Sequence, residues 1–187
     1  VVQRILRQAT PEMRSSINQI LRYPENSAGS IMTTEYVSLR PDMSVGESIL
    51  RIRRQGVDKE TIYTCYVTQG RTLLGIVTVK DLLLAEDDDQ LIQDIMITNI
   101  ISVSTLADQE EVAQMLSKYN FLALPVVDKE NRMVGIVTFD DAMDVMEDEF
   151  TEDIEIMGGM TPSEKTYLKS SVFDLFKHRI PWLLLLM

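Results

Sequence analysis

Cysteine and histidine each occur once in this chain of 187 residues, as Cys65 and His178. A single cysteine excludes an intramolecular disulfide and suits a reducing compartment. No histidine shares the repeat that holds Cys65, so a thiol nucleophile lacks its usual base. There is no CxxC pair, no H-E-x-x-H and no EF-hand loop, which excludes the stricter zinc and calcium motifs. Paired carboxylates are plentiful, but nothing sets a raised acid apart from a lowered one, so no acid–base enzyme is read here. Cations are scarce as well: 18 Lys and Arg stand against 29 Asp and Glu, a net charge of −11. That balance argues against nucleic acid, whose backbone rewards clustered Lys and Arg, and favours cations or basic surfaces as partners. The opening VVQRILRQ lacks the apolar core and cleavage site of a secretory signal. The terminal apolar run 182–187 has six residues, too few for the roughly 20 that a membrane helix needs.

What is present is a folded chain, 45% apolar and long enough for one large domain or two small ones. Its start at Val1 without Met reads as a piece of something longer. Residues 1–22 are expected to be helical, interrupted at Thr10-Pro11-Glu12, where Thr10 suits an N-cap and Pro11 the first helical position. Tyr23-Pro24 stops that helix.

An internal repeat follows. In the first copy, residues 36–39 read as a strand, 42–54 as a helix, 63–68 and 73–78 as a hairpin through Gln69-Gly70-Arg71, and 80–85 as a second helix. In the second copy, 100–103, 108–118, 122–127 and 133–138 repeat the series, and a last helix begins at Asp140. Residues 74–81 and 134–141 share five identities in eight at an offset of 60, while Ile31-Met32 and Ile95-Met96 are offset by 64. Four extra residues are therefore expected between helix and hairpin in the first copy.

The last helix concentrates charge. Met143, Met146, Phe150, Ile154 and Met157 recur at helical spacing as an apolar stripe. Asp141, Asp144, Asp148 and Glu152 fall opposite it, with Glu149 and Asp153 beside them. From Asp140 to Asp153 there are eight carboxylates and no Lys or Arg. Like charges at i,i+4 cost a helix about 0.2–0.5 kcal/mol per pair, so such a face is either simply solvated or awaits a cation. Gly158-Gly159 ends the helix, and Thr161-Pro162-Ser163-Glu164 is a capping box for another that runs to about Ile180. Lys177, His178 and Arg179, then Trp182 and a leucine run, have the look of the cytoplasmic mouth of a membrane helix.

The doubled strand, helix, Gly-Ile-Val-Thr hairpin and closing helix over 31–153 resemble a CBS-domain pair. Residues 23–33, Tyr-Pro-Glu-Asn-Ser-Ala-Gly-Ser-Ile-Met-Thr, resemble the lead-in to the first CBS repeat of MgtE-type magnesium transporters, as do Thr151-Glu152-Asp153-Ile154 and the basic-then-apolar end. The resemblance implies a mixed α/β (α+β) fold: a tandem CBS-domain pair with flanking helices. Its expected parts are a helical remnant at 1–22, repeats at 23–89 and 90–157, a connecting helix at 158–180, and the start of a transmembrane helix at 181–187. It further implies a homodimer on the cytoplasmic face of the cell membrane, joined to its own transmembrane pore domain, which Mg²⁺ binding between acidic helices closes.

By the same resemblance the cation positions are Asp108 and Glu110, then Asp141, Asp144, Glu149, Glu152 and Asp153. Mg²⁺ suits them, since it prefers oxygen ligands and keeps most of its water. Asn120 departs from the pattern, where some relatives place an acid. Asp108 is also a natural N-cap, and Asp141 completes a capping box with Thr138. A second implication is ATP or AMP in the cleft: Asp81 on the ribose, Tyr63 and Phe121 beside the adenine, Lys80 on phosphate. Against it, Thr78-x-x-Asp81 is itself a capping box and no glycine-rich phosphate loop is present. A third reading is a dimerisation unit whose acids serve solubility.

Overall fold

The period-2 runs and the three-to-four spacings become strands and helices in the computed structural model, which describes residues 21–158 and Ile180. The expectations for residues 1–20, 161–179 and the terminal run lie outside the described residues. In the first repeat the elements are α1 (Ala28–Ile31), β1 (Ser38–Leu39), α2 (Val45–Gln55), β2 (Thr64–Gln69), β3 (Thr72–Thr78) and α3 (Val79–Leu83). The second repeat gives α4 (Ile92–Ile95), β4 (Val103–Ser104), α5 (Gln109–Tyr119), β5 (Ala123–Val127), β6 (Met133–Thr138) and α6 (Phe139–Met157). The chain divides into two units, Val1–Ala142 and Met143–Met187.

Local chemistry sets the boundaries. Ser44 Oγ accepts from the Glu47 N–H while Glu47 Oε2 accepts from the Ser44 N–H, both at 3.2 Å. This capping box starts α2 at Val45, three residues later than the apolar pattern suggests. The four extra residues of the first copy include a 3-10 turn at Gly56–Asp58, where the second copy has Asn120 alone, in the left-handed region at φ 52°. Strands β1 and β4 have two residues each, against the four expected. The reason is that each meets only one neighbour, β2 or β5, and only at its end.

Each repeat forms a three-stranded sheet of the same topology, β1-β2-β3 and β4-β5-β6. The first strand is parallel to the second, and the hairpin is antiparallel. Both hairpins carry a register shift at the matching place, Val67/Thr68 and Val126/Val127. Gly70, at φ +65°, turns the first hairpin in two residues. The second turn is longer and held by Asp128, whose Oδ1 accepts the Arg132 N–H at 2.9 Å while its Oδ2 pairs with the guanidinium at 2.7 Å.

The segments leading into the repeats are exchanged. The N–H groups of Ala28 and Gly29 donate to Ala107 and Thr105 carbonyls of the second repeat, and Thr33 exchanges two backbone bonds with Ile136 on β6. In the mirror arrangement Ile92 donates to the Met43 carbonyl, Val45 to the Gln90 carbonyl, and Ile97 exchanges two bonds with Ile76 on β3. Each lead-in therefore caps the open edge of the other repeat's sheet. Glycine makes this possible. A Cβ on Gly75 would come within 2.7 Å of Met96 Sδ, and one on Gly135 within 2.6 Å of the Thr33 carbonyl oxygen.

The first repeat buries Val37, Leu39, Val45, Val67, Val77 and Leu82 among others, with Cys65 fully enclosed. A second cluster joins the two sheets through Tyr66 and Leu73 of the first repeat and Val127, Met133 and Ile136 of the second. The α6 stripe departs from expectation: Met143, Met146, Phe150 and Ile154 are all exposed, because the described part of the second unit offers them no covering element.

Gly135→Ala should cost about 1–3 kcal/mol in urea unfolding, the range for overpacking. Gly75→Ala should cost less, since a methionine tip gives way more easily than a backbone carbonyl. Burial pushes the Cys65 thiol up to about 12, so it should stay unmodified by a maleimide at pH 8 in the native protein and react once unfolded.

Candidate functional site

Thr78 ends β3 and caps α3. Its N–H and its hydroxyl both donate to Asp81 Oδ2, at 3.0 and 2.6 Å, and its Oγ accepts the Asp81 N–H at 3.1 Å. The Asp81 carboxylate is half-buried and held in one orientation, with Oδ1 outside this box. The Val79 N–H donates to the Tyr63 carbonyl at 3.0 Å, which sets Tyr63 beside the start of α3, next to Lys80. Both side chains are exposed, Tyr63 at 66%. Three of the four residues expected at a nucleotide thus share one end of the first sheet. Phe121 lies in the second repeat, where it stacks on Tyr119 at 5.5 Å rather than on Tyr63.

The second copy repeats this end with different chemistry. The Phe139 N–H donates to the Leu122 carbonyl at 3.0 Å, and Thr138 Oγ donates to Asp141 Oδ2 at 2.7 Å. Leu122 stands where the first copy has Tyr63, and Asp140 where it has Lys80. The pair Asp140-Asp141 therefore offers two carboxylates where the first repeat offers a cation and a carboxylate.

The other expected cation positions are placed as follows. Asp108 is the N-cap of α5, its Oδ1 accepting the Glu110 N–H at 2.9 Å. Glu110 Oε1 accepts from the Gln114 amide at 2.9 Å, one turn along. Each keeps an exposed carboxylate oxygen, so capping and ion binding are compatible. Asn120 has a backbone reason to be Asn: it holds the left-handed C-cap, where its N–H reaches the Leu116 and Ser117 carbonyls. In the second unit Asp144, Glu152 and Asp153 on α6 are exposed and Glu149 is half-buried.

Among the described residues, no three acid, histidine or cysteine side chains gather closely enough to hold a metal ion. The donors available are all carboxylate oxygens on helices, exposed except at the half-buried Asp141 and Glu149. That set fits Mg²⁺ held through its water by one or two carboxylates, and it does not fit a dehydrated cage.

Two features escape a reading by pattern. Tyr66 is fully buried in the seam between the sheets, edge-on to Tyr36 at 5.8 Å, and its hydroxyl has no partner among the described residues. Burial pushes that hydroxyl well above the ordinary tyrosine range. An alternating strand marks Tyr66 as inward but not what it meets. The other is a group of arginines on α2, whose i,i+3 spacing was the available signal.

Comparison with known proteins adds to this geometry. The CBS domain family matches residues 28–88 and 92–148. The magnesium transporter MgtE of Thermus thermophilus is 42% identical over 178 residues, covering 94% of this chain and 39% of that protein. MgtE of Enterococcus faecalis is 38% identical over 177 residues, covering 94% of this chain and 38% of that protein. The chain thus spans about two fifths of the length of these relatives. A crystal structure of the cytosolic domain of the Mg²⁺ channel MgtE in complex with ATP superposes with a TM-score of 0.74 at 42% identity, over 76% of this chain and 58% of that one.

The capping role of Asp108 can be separated from any ligand. Asp108→Ala should lower stability by about 0.5–2 kcal/mol in Mg²⁺-free buffer, with Asp108→Asn close to the parent. Equal stability of all three in thermal unfolding would remove the cap from the account.

Proposed function

Since the chain belongs to the CBS domain family, is similar over 94% of its length to an MgtE magnesium transporter and over 76% to the solved cytosolic domain of MgtE, we propose that it is the Mg²⁺-sensing regulatory region of a magnesium transporter. The observation that carries this is α6: eight carboxylates between Asp140 and Asp153 without one Lys or Arg. Among the described residues no helix is long and apolar enough to cross a membrane. The likeness to the cytosolic domain of MgtE supports placing this region at the cytoplasmic face, acting on a pore domain elsewhere in the protein.

The mechanism is relief of charge. Two carboxylates 4 Å apart repel by about 4 kcal/mol at an effective dielectric near 20, so acidic faces separate when no cation is present. Mg²⁺ with its water shell turns that repulsion into bridging. Bridging through the water of Mg²⁺ takes a carboxylate from each of two acidic faces, and the second face comes from a second copy or from the rest of the transporter. A homodimer supplies the second copy, and exposed Leu83 on α3 with Leu84 just after it gives it an apolar face. Each site is weak, near millimolar or about 4 kcal/mol, and several together steepen the response because differential affinity sets the shift between states. Asp108, Glu110, Asp141, Asp144, Glu149, Glu152 and Asp153 are the residues assigned to this work.

A second input is favoured by the fixed Asp81 carboxylate beside Tyr63 and Lys80. An adenine nucleotide there would set its ribose hydroxyls on Asp81 and its phosphates near Lys80, and the related structure's complex with ATP supports the assignment.

The decisive variant is Asp141→Asn, Asp144→Asn and Glu152→Gln together, which keeps shape while removing three charges. It should be at least as stable as the parent without Mg²⁺, yet lose most of the Mg²⁺-induced compaction in small-angle scattering. Superimposed compaction curves for the two proteins would remove α6 from the sensor. A sedimentation experiment should also find a dimer at micromolar concentration; monomer with and without Mg²⁺ would overturn that part.

A further inference from the structure

Against a net charge of −11, one helix runs the other way: α2 carries Arg51, Arg53 and Arg54, and Arg40 stands before it. Arg40, Arg51 and Arg54 converge on a cavity of about 340 Å³, walled by Met43, Glu47 and Leu50. Its lining shares no residue with the Tyr63, Lys80 and Asp81 end of the sheet. Last-turn arginines do offset the helix dipole, but that accounts for Arg53 and Arg54 and not for Arg51, a turn earlier. Glu47, spaced to pair with Arg51, spends Oε2 on the Ser44 N–H. Arg40 has a carboxylate partner in Asp42, at 3.0 Å on the open surface. Among the described residues neither Arg51 nor Arg54 has one, and the buried Arg51 Nε has no acceptor there.

A buried guanidinium N–H without an acceptor is costly, and Arg51 and Arg54 line one cavity with no carboxylate partner among the described residues, beside Arg40, whose pair with Asp42 lies in water and can exchange. An oxyanion in the cavity would supply the partner that Arg51 and Arg54 lack. The planar fork of Arg matches phosphate oxygens two at a time, and three forks suit a multiply charged anion better than a single carboxylate. We propose that this cavity binds a small phosphorylated molecule, its phosphate held by Arg51, Arg54 and Arg40 and its apolar part against Met43 and Leu50. The site is separate from the cation surface and does not depend on the Mg²⁺ reading.

Inorganic pyrophosphate is the probe, titrated calorimetrically into the 187-residue chain in buffer with EDTA. The parent should bind it, and Arg51→Gln with Arg54→Gln should weaken binding about tenfold or more, the effect of losing charge-assisted bonds. Lys129→Gln, an exposed cation in the turn between β5 and β6 that does not line the cavity, should leave it unchanged, and succinate should bind more weakly than pyrophosphate. If the double variant does not fold by circular dichroism, Arg54→Gln alone, at an exposed position, carries the same comparison. No binding to the parent, no loss in the arginine variants, an equal loss in Lys129→Gln, or succinate binding as tightly would each overturn the proposal.

Discussion

Four backbone hydrogen bonds, two between Thr33 and Ile136 and two between Ile97 and Ile76, hold the pair of repeats as one body. They close the open edges of β6 and β3, which would otherwise present unpaired N–H and C=O groups. Their value is not mainly in the bonds, whose net worth is about 1 kcal/mol each. It lies in what they impose nearby. Met32 and Met96 must pass over Gly135 and Gly75, so the glycine of each Gly-Ile-Val-Thr motif and the methionine of each Ile-Met pair are fitted to one another across repeats. The seam cluster around Tyr66, Leu73, Met133 and Ile136 is then enclosed.

Charge is distributed on this scaffold by position in the repeat. Matching places after the hairpins hold Lys80-Asp81 in one copy and Asp140-Asp141 in the other. Matching helices hold a run of arginines on α2 and the acids Glu110 and Glu111 on α5. Matching positions of a duplicated fold thus carry different charge in the two halves, while the backbone pattern stays the same down to the register shift in each hairpin.

Much of this was legible in the residues because local chemistry is local. The difference between offsets of 60 and 64 located the 3-10 turn at Gly56–Asp58, and the caps at Asp108 and Thr78 sit where their side chains must. Periodicity tells which face of an element is buried, but not against what. The exchange of the lead-in segments was therefore invisible: Ile31-Met32-Thr33 reads the same whether it joins its own sheet or the other. The exposure of Met143, Met146 and Phe150 shows the converse, a face with the pattern for burial and no described partner. The arginine cavity was missed since arginines in the second half of a helix already have an electrostatic reason to be there.

Each repeat, taken alone, owns an uncapped sheet edge and a lead-in with no edge to cap. Those two deficits are complementary: an offset of 64 residues relates Thr33 to Ile97, and the hairpin offset of 60 relates their hydrogen-bond partners Ile76 and Ile136. A single half is therefore self-complementary, and two identical halves would satisfy each other about a twofold axis. The pair has the topology of a homodimer whose protomers have been joined end to end. Once joined, the copies no longer had to be alike, and a symmetric clasp was free to carry Lys80 on one side and Asp140 on the other.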